Sequence, residues 1–155
     1  MLAALQPSVA ESLTDLWAAL HKRVPITVYD CEVHYLTAMA LAADDDLVAH
    51  LLLKKLRIAA RAAGDDCDRG LVRMNSYVEF SHGGGGKRFC QLVHPSAPDM
   101  PAHGIGVTNL AGAGLIGLRS GQAILWPDVD GTLSELSILH VENCPGLGKW
   151  LEAVT

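Results

Sequence analysis

Residues 104–127, GIGVTNLAGAGLIGLRSGQAILWP, constrain the fold more than any other stretch of this sequence. Ile105 and Val107 alternate as in a buried strand, and Thr108 or Asn109 can cap a short helix that follows. The apolar residues of that helix are Leu110, Leu115 and Ile116. Further glycines then let the chain turn back into a second strand. A helix so rich in glycine is weak by propensity, so we expect packing against a sheet to hold it, which predicts an α+β core.

Composition narrows the class of protein. The chain has 155 residues, half of them apolar, which suits one domain or a small domain with an appendage. A formal net charge of −5 argues against a general nucleic-acid binder, so we expect no direct sequence-specific nucleic-acid binding. The cysteines lie far apart with no CxxC pair, which argues against a zinc site and a disulfide framework. They are Cys31, Cys67, Cys90 and Cys144, and we expect them to be reduced.

The N-terminal residues 1–24 are predicted to form a helical extension. A capping-box pattern from Ser8 to Glu11 opens a helix over 8–22 with one apolar stripe. No basic region precedes the apolar part and no run is long enough to cross a bilayer, so we expect a cytoplasmic protein with no membrane contact. Two interpretations of the helix stay open. It packs on its own domain, or it serves self-association or docking with Trp17 as the anchor.

Residues 25–66 are predicted to form an antiparallel helical hairpin. Apolar residues recur at helical spacing over 27–43 and again over 47–63, with Gly64 as the C-cap of the second helix. So short a link between two amphipathic helices requires them to lie antiparallel, as a short coiled coil. The acidic triplet Asp44, Asp45 and Asp46 then lies at the tip of arms about 25 Å long.

The second helix of the hairpin carries basic residues on one predicted face, Lys54, Arg57 and Arg61. They could meet an acidic partner. We expect them instead to pair within the hairpin, because Asp30 and Glu32 would lie alongside the two arginines.

Residues 70–155 are predicted to form a mostly antiparallel sheet domain with one packed helix, after a polar linker at 65–70. Period-two alternation predicts strands over 71–80 and 87–94, joined by a glycine-rich loop. A strand rather than a helix follows those glycines, which argues against a phosphate loop. A last strand over 132–142 breaks phase near Leu136, which predicts a bulge there. Residues 147–154 are predicted to form a short terminal helix.

Four blocks of the sequence carry a resemblance to a known family. They are LVRMNSYVEF at 71–80, LVHP at 92–95, LIGLRSG at 115–121 and ILWP at 124–127. Their order and spacing resemble the C-terminal domain of the Gre transcript-cleavage factors. They are most similar to the short-armed branch of that family, the regulators of nucleoside diphosphate kinase. The resemblance covers about residues 26–145 and is strongest over 71–127.

The resemblance implies an FKBP-like sheet domain behind a coiled-coil hairpin. It also implies binding to RNA polymerase at the rim of the secondary channel, which the long coiled coil of Gre factors enters. An acidic pair at that tip helps hold magnesium for transcript cleavage, and the short-armed relatives compete for the channel. The positions implied to contact polymerase are Asn75, Ser76, Asn109 and Leu110.

The sequence also departs from the family pattern. Residues 109–112 read NLAG where relatives usually carry Ser-Pro-Leu-Gly, and Gln122 replaces a usual Asp. Residues 1–24 have no recognised counterpart. These departures bear on the docking partner rather than on the fold.

Two interpretations of the tip, Asp44, Asp45 and Asp46, stay open. Carboxylates suit magnesium, whereas Asp45 or Asp46 can instead cap the following helix. Short arms favour the cap, because the tip would not reach the catalytic centre of polymerase.

We therefore predict a non-enzymatic transcription regulator that binds RNA polymerase, without cleavage stimulation and without a cofactor or bound metal. The histidines His82, His94, His103 and His140 fall in separate elements and mark no catalytic triad. A peptidyl-prolyl isomerase is one alternative, because the implied fold is FKBP-like, although aromatic residues that could line its pocket are few. A binding module for another protein is a further alternative.

Overall fold

A five-stranded sheet and three longer helices organise the computed structural model, which describes residues 9–20, 24–63, 70–95 and 103–143. Outside the described residues lie the predicted terminal helix at 147–154 and most of the linker, together with Gly64, Cys67 and Cys144. The helices are α1 (Val9–Leu20), α2 (Asp30–Ala42), α3 (Asp46–Ile58) and α4 (Leu110–Leu115). The strands are β1 (Thr27–Tyr29), β2 (Ala60–Ala62), β3 (Tyr77–His82), β4 (Arg88–Val93), β5 (Gly104–Gly106), β6 (Ala123–Pro127) and β7 (Leu133–Glu142). The protein is thus α+β.

The main sheet has the strand order β5-β4-β3-β7-β6. β3 pairs antiparallel with both β4 and β7, and β6 pairs antiparallel with β7. β5 pairs parallel with β4. The prediction of a mostly antiparallel sheet is therefore confirmed. Apolar and polar residues alternate along β3, where Val78 and Phe80 are fully buried, because successive side chains of a strand point to opposite faces.

The second helix of the predicted hairpin ends five residues earlier than expected. Its helical pattern runs on to 63, but α3 ends at Ile58, because Ala60–Ala62 form β2 and pair parallel with β1. The amide of Ala60 donates to the carbonyl of Ile26 at 2.8 Å. For the same reason the first helix begins at Asp30 rather than at 27. Local helix propensity yields here to pairing with a distant segment.

Two further strand predictions need correction. The strand expected over 71–80 begins only at Tyr77, because Asn75 adopts φ 72° and the amide of Ser76 turns back to the carbonyl of Arg73 at 3.1 Å. The irregularity in β7 lies at Leu139 rather than near Leu136. His140 faces Glu79 and Ile138 faces Phe80, so one residue of β7 is left over between them.

All layers share one hydrophobic core. The cluster includes residues from α1, α2, α3, α4 and the sheet. Its largest apolar members are Trp17, Trp126, Phe80, Leu36, Leu51 and Leu52. The Trp17 and Trp126 rings meet edge to face with centroids 5.4 Å apart. The interpretation that α1 packs on its own domain is confirmed, and the role of Trp17 as an external anchor is wrong, because its side chain is 0% exposed.

The expected pairing of the hairpin charges is also wrong. Arg61 lies in β2, so Lys54, Arg57 and Arg61 do not share a helical face. Glu32 pairs instead with Arg73 at 3.8 Å, and Lys54 lies 4.0 Å from Asp15 on α1. Burial raises the pKa of Glu32, an effect that the Arg73 guanidinium partly opposes.

Two smaller features complete the description. Cys31 and Cys90 are free thiols, and burial raises the pKa of Cys90 to about 12. Within the described ranges, no helix combines the length and the apolar character that crossing a bilayer requires.

Candidate protein-docking groove

An open groove lies where the start of α3, the start of α4 and the turn between β6 and β7 meet. Its volume is about 460 Å³. Its lining comes from Asp45, Leu47 and Val48, from Thr108, Asn109 and Leu110, and from Asp128, Val129 and Gly131. The structure therefore brings together two sets of residues that the sequence singled out separately, the acidic tip and the start of the glycine-rich helix.

The start of α3 is fixed by its own acidic residue. The Asp45 carboxylate accepts hydrogen bonds from the amides of Leu47 at 2.9 Å and Val48 at 3.3 Å. The prediction that Asp45 caps this helix is confirmed. Asp46 lies 3.5 Å from His50 one turn along the helix, and Asp44 is exposed.

The start of α4 is held in a similar way. The Asn109 side chain accepts a hydrogen bond from the amide of Ala111 at 3.0 Å, which confirms the predicted cap, and Asn109 remains exposed. The carbonyl of Leu110 accepts a bond from the Trp126 indole at 2.7 Å. Gly112 permits this position, because a Cβ there would collide with the backbone carbonyl of Gly106.

A buried lysine holds the opposite end of α4. Lys55 of α3 is 1% exposed, and its ammonium donates to the carbonyls of Ala113 at 3.0 Å, Gly114 at 2.6 Å and Ile116 at 2.6 Å. The last carbonyls of a helix lack intrahelical partners, and a cation there also meets the negative end of the helix dipole. Burial lowers the pKa of Lys55 well below its ordinary value of 10.5. Lys55 therefore fixes the end of α4 against α3.

The third wall was not predicted as a site. In the turn after β6, Asp128 accepts from the amide of Val129 at 2.7 Å, and Asp130 accepts from the amide of Thr132 at 3.0 Å. The bonds from Thr132 lower the pKa of Asp130. Val129 is 95% exposed between these two carboxylates. The Asp-Val-Asp-Gly sequence predicts a turn, but only the fold places that turn beside α3 and α4.

The other predicted contact positions lie elsewhere. Asn75 is exposed in the turn before β3 and does not line the groove. Ser76 is 1% exposed, accepts a hydrogen bond from the amide of Arg73 at 2.8 Å and donates to Asn143. The prediction that Ser76 contacts a partner at the surface is therefore wrong for this conformation, because its hydroxyl stabilises the turn internally.

The tip formed by Asp44–Asp46 does not project from the sheet domain. Asp45 faces the start of α4 across the groove, and Asp44 lines a second cleft together with His94, Pro95 and Thr108. α2 and α3 have 13 residues each, about 20 Å of helix, which is shorter than the 25 Å predicted for the arms. Among the residues that the structure describes, no three His, Cys, Asp or Glu side chains are grouped as a metal site requires.

The regulator of nucleoside diphosphate kinase from Escherichia coli (strain K12) is 30% identical over 99 residues, which cover 63% of this chain and 73% of that protein. The chain belongs to the family of the regulators of nucleoside diphosphate kinase. The regulator of nucleoside diphosphate kinase from Shigella flexneri matches to the same extent. No family model matches the chain.

A solved structure agrees with the fold. The prokaryotic transcription elongation factor GreA/GreB from Nitrosomonas europaea superimposes with a TM-score of 0.59 at 22% identity, over 78% of this chain and 100% of that one. The resemblance of the sequence to the regulators of nucleoside diphosphate kinase is thus confirmed, and the fold is similar to that of a Gre factor. In this member of the regulator family, residues 110–127 lie within the stretch of strongest resemblance and include α4 and β6, and the start of α4 is one wall of the groove.

Proposed function

We propose that this protein is a Gre-like transcription factor that binds RNA polymerase near its secondary channel and does not stimulate transcript cleavage. Membership of the regulator of nucleoside diphosphate kinase family and the fold of an elongation factor support the proposal. In finer detail, the sheet with α4 is an FKBP-like docking domain, and α2 with α3 is a short coiled coil.

The exposed start of α4 is the observation that carries the docking proposal. Asn109 and Leu110 lie within residues 71–127, where the resemblance to Gre factors is strongest, at a position where this chain departs from the family pattern, and they line the groove. Lys55 and the Trp126 indole hold α4 at both ends, so this surface is rigid before a partner arrives. A surface of this kind loses little conformational entropy on binding.

The position of Asp44–Asp46 supports the absence of cleavage stimulation. Cleavage would require carboxylates delivered to a distant catalytic metal, as the long-armed relatives do. Here α2 and α3 have 13 residues each, about 20 Å of helix, and Asp45 is already engaged as a cap. The hairpin therefore lies at the rim and does not reach a buried centre.

Purified full-length protein and core RNA polymerase test the proposal. We expect co-elution in size-exclusion chromatography, inhibition of Gre-stimulated cleavage, and no cleavage stimulation by the protein itself. Leu110→Ala removes the apolar side chain that the start of α4 presents to the groove, so we expect about 5-fold weaker binding, the effect of losing one interface contact. The control Glu135→Gln on β7, outside the groove, should bind as the wild type does. Absence of co-elution would refute polymerase binding.

A further inference from the structure

We propose that the groove between α3, α4 and the β6–β7 turn accepts a basic amphipathic helix of a protein partner. The proposal deepens the docking function above and rests on it for the identity of the partner, not for the chemistry of the site. Aliphatic side chains of the partner helix would face the apolar part of the groove, and its Lys and Arg side chains would face the acidic rim.

The interior of the groove offers apolar contact on three sides. Leu47 and Leu110 are half-buried on opposite walls, and Val129 stands almost fully exposed on the third. An isolated exposed valine is unremarkable, but one that faces two leucines across a concave surface gives a partner apolar area to cover. The volume accommodates a few side chains from one helical face, as helix-in-groove recognition uses.

The rim of the groove carries charge of one sign. Asp45 and Asp128 line the groove, Asp44, Asp46 and Asp130 flank them in sequence, and no Lys or Arg is among the lining residues. Such a rim repels phosphates and acidic peptides and attracts Lys and Arg side chains. Charge complementarity therefore selects a basic protein segment as the occupant.

The rim carboxylates are also oriented. Asp45, Asp128 and Asp130 each accept a hydrogen bond from a nearby backbone amide, which holds them in place without neutralising them. An oriented carboxylate loses less side-chain entropy when it pairs with a cation than a free one does. The acidic tip thus serves as one edge of a docking surface, which differs from a role in holding metal.

The first arm of the test uses a designed probe, a helical peptide of about 18 residues with Leu and Lys on one face, beside a version with Glu in place of Lys. We expect the Lys peptide to bind the full-length protein and to shift the backbone amide resonances of Leu47, Leu110 and Val129. We expect no binding of the Glu peptide. Binding of both peptides, or shifts confined to other surfaces, would overturn the proposal.

The second arm uses charge variants matched in number. Asp128→Asn with Asp130→Asn removes two carboxylate charges of the β6–β7 turn and keeps side-chain oxygens that can accept its hydrogen bonds, and Asp30→Asn with Glu135→Gln removes two acidic charges outside the groove. We expect the rim variant to bind the Lys peptide about 2- to 30-fold more weakly, as loss of two exposed pairs predicts, and the control to bind as the wild type does. The difference should shrink at about 0.3 M salt because of screening.

Core RNA polymerase separates this proposal from the previous one. If the Lys peptide binds in the groove and polymerase does not bind at all, the groove proposal stands and the polymerase proposal fails. If polymerase binds the wild type and the rim variant with equal affinity, and the Lys peptide also binds both with equal affinity, the groove proposal fails. Polymerase docking then stands. Val129→Ser, at an exposed turn position, should weaken both interactions without affecting folding; unchanged affinity for both would count against the groove.

Discussion

Replacement of Lys55 by methionine tests how α4 is held. Methionine keeps most of the volume of the side chain but leaves the carbonyls of Ala113, Gly114 and Ile116 without their donor. A buried acceptor left unsatisfied costs about 1–3 kcal/mol, so the three together set an upper bound of roughly 3–9 kcal/mol. Removing the buried ammonium recovers several kcal/mol of its desolvation penalty. We expect a net loss of about 2–4 kcal/mol in the free energy of unfolding.

The measurement is equilibrium urea unfolding at neutral pH, followed by tryptophan fluorescence. Trp17 and Trp126 report on the same core, because their rings are in contact. Lys54→Met is the matched control, since Lys54 is the neighbouring lysine, is partly exposed and makes only a 4.0 Å pair with Asp15. Its loss should be about 0.5 kcal/mol or less. A Lys55→Met protein as stable as the wild type would show that α4 does not depend on the ammonium.

Three further predictions concern α4 and the residues that hold it. Gly112→Ala should destabilise the protein by at least about 3 kcal/mol in thermal or urea unfolding, because the added Cβ would overlap the Gly106 carbonyl. The control Gly86→Ala should change the free energy of unfolding by no more than about 0.5 kcal/mol, because nothing lies near the added Cβ. Asn109→Ala should cost about 1 kcal/mol through loss of the α4 cap; an unchanged urea midpoint would contradict the cap. The pKa of Lys55 is lowered in the folded state, so between that pKa and the ordinary 10.5 the unfolded chain binds more protons. The free energy of unfolding of the wild type, minus that of Lys55→Met, should therefore rise with pH in this range. Urea unfolding at several alkaline pH values measures this difference, and a flat or falling difference would disprove the prediction.

Elements specified by local pattern could be predicted from the sequence. The strand predicted over 87–94 corresponds to β4, and the strand predicted over 132–142 corresponds to β7. The caps Asp45 and Asn109 were also predictable, because a cap is a contact between a side chain and amides two or three residues away. These features need no knowledge of distant parts of the chain.

Elements specified by distant contacts were not predictable in the same way. β1 and β2 have three residues each, and Ala60 follows a long run of helix-forming residues, so local propensity favours a helix there. Pairing between segments more than 30 residues apart reverses that preference. The orientation of the tip against α4 likewise depends on packing between elements, for which no local pattern exists.

Lys55 shows the same limit at the level of one side chain. In the sequence it is half of a Lys-Lys pair on an amphipathic helix, where solvent exposure is the usual outcome for lysine. It is buried because three carbonyls from a segment 58 to 61 residues away converge on its ammonium. No spacing rule links a lysine on one helix to the last carbonyls of another.

The pairing of β1 with β2 has a consequence for how such a chain can change over time. Thr27 lies opposite Ala60 and Tyr29 opposite Ala62, so both ends of the helical segment are held to one short parallel ladder. Residues added to this segment between α2 and α3 leave the register of β1 with β2, and that of the main sheet, unchanged. Doubling the length of such a closed loop costs only about 0.6 kcal/mol. A helical segment of a different length can therefore be joined to the same β1–β2 ladder at a small cost in loop-closure entropy.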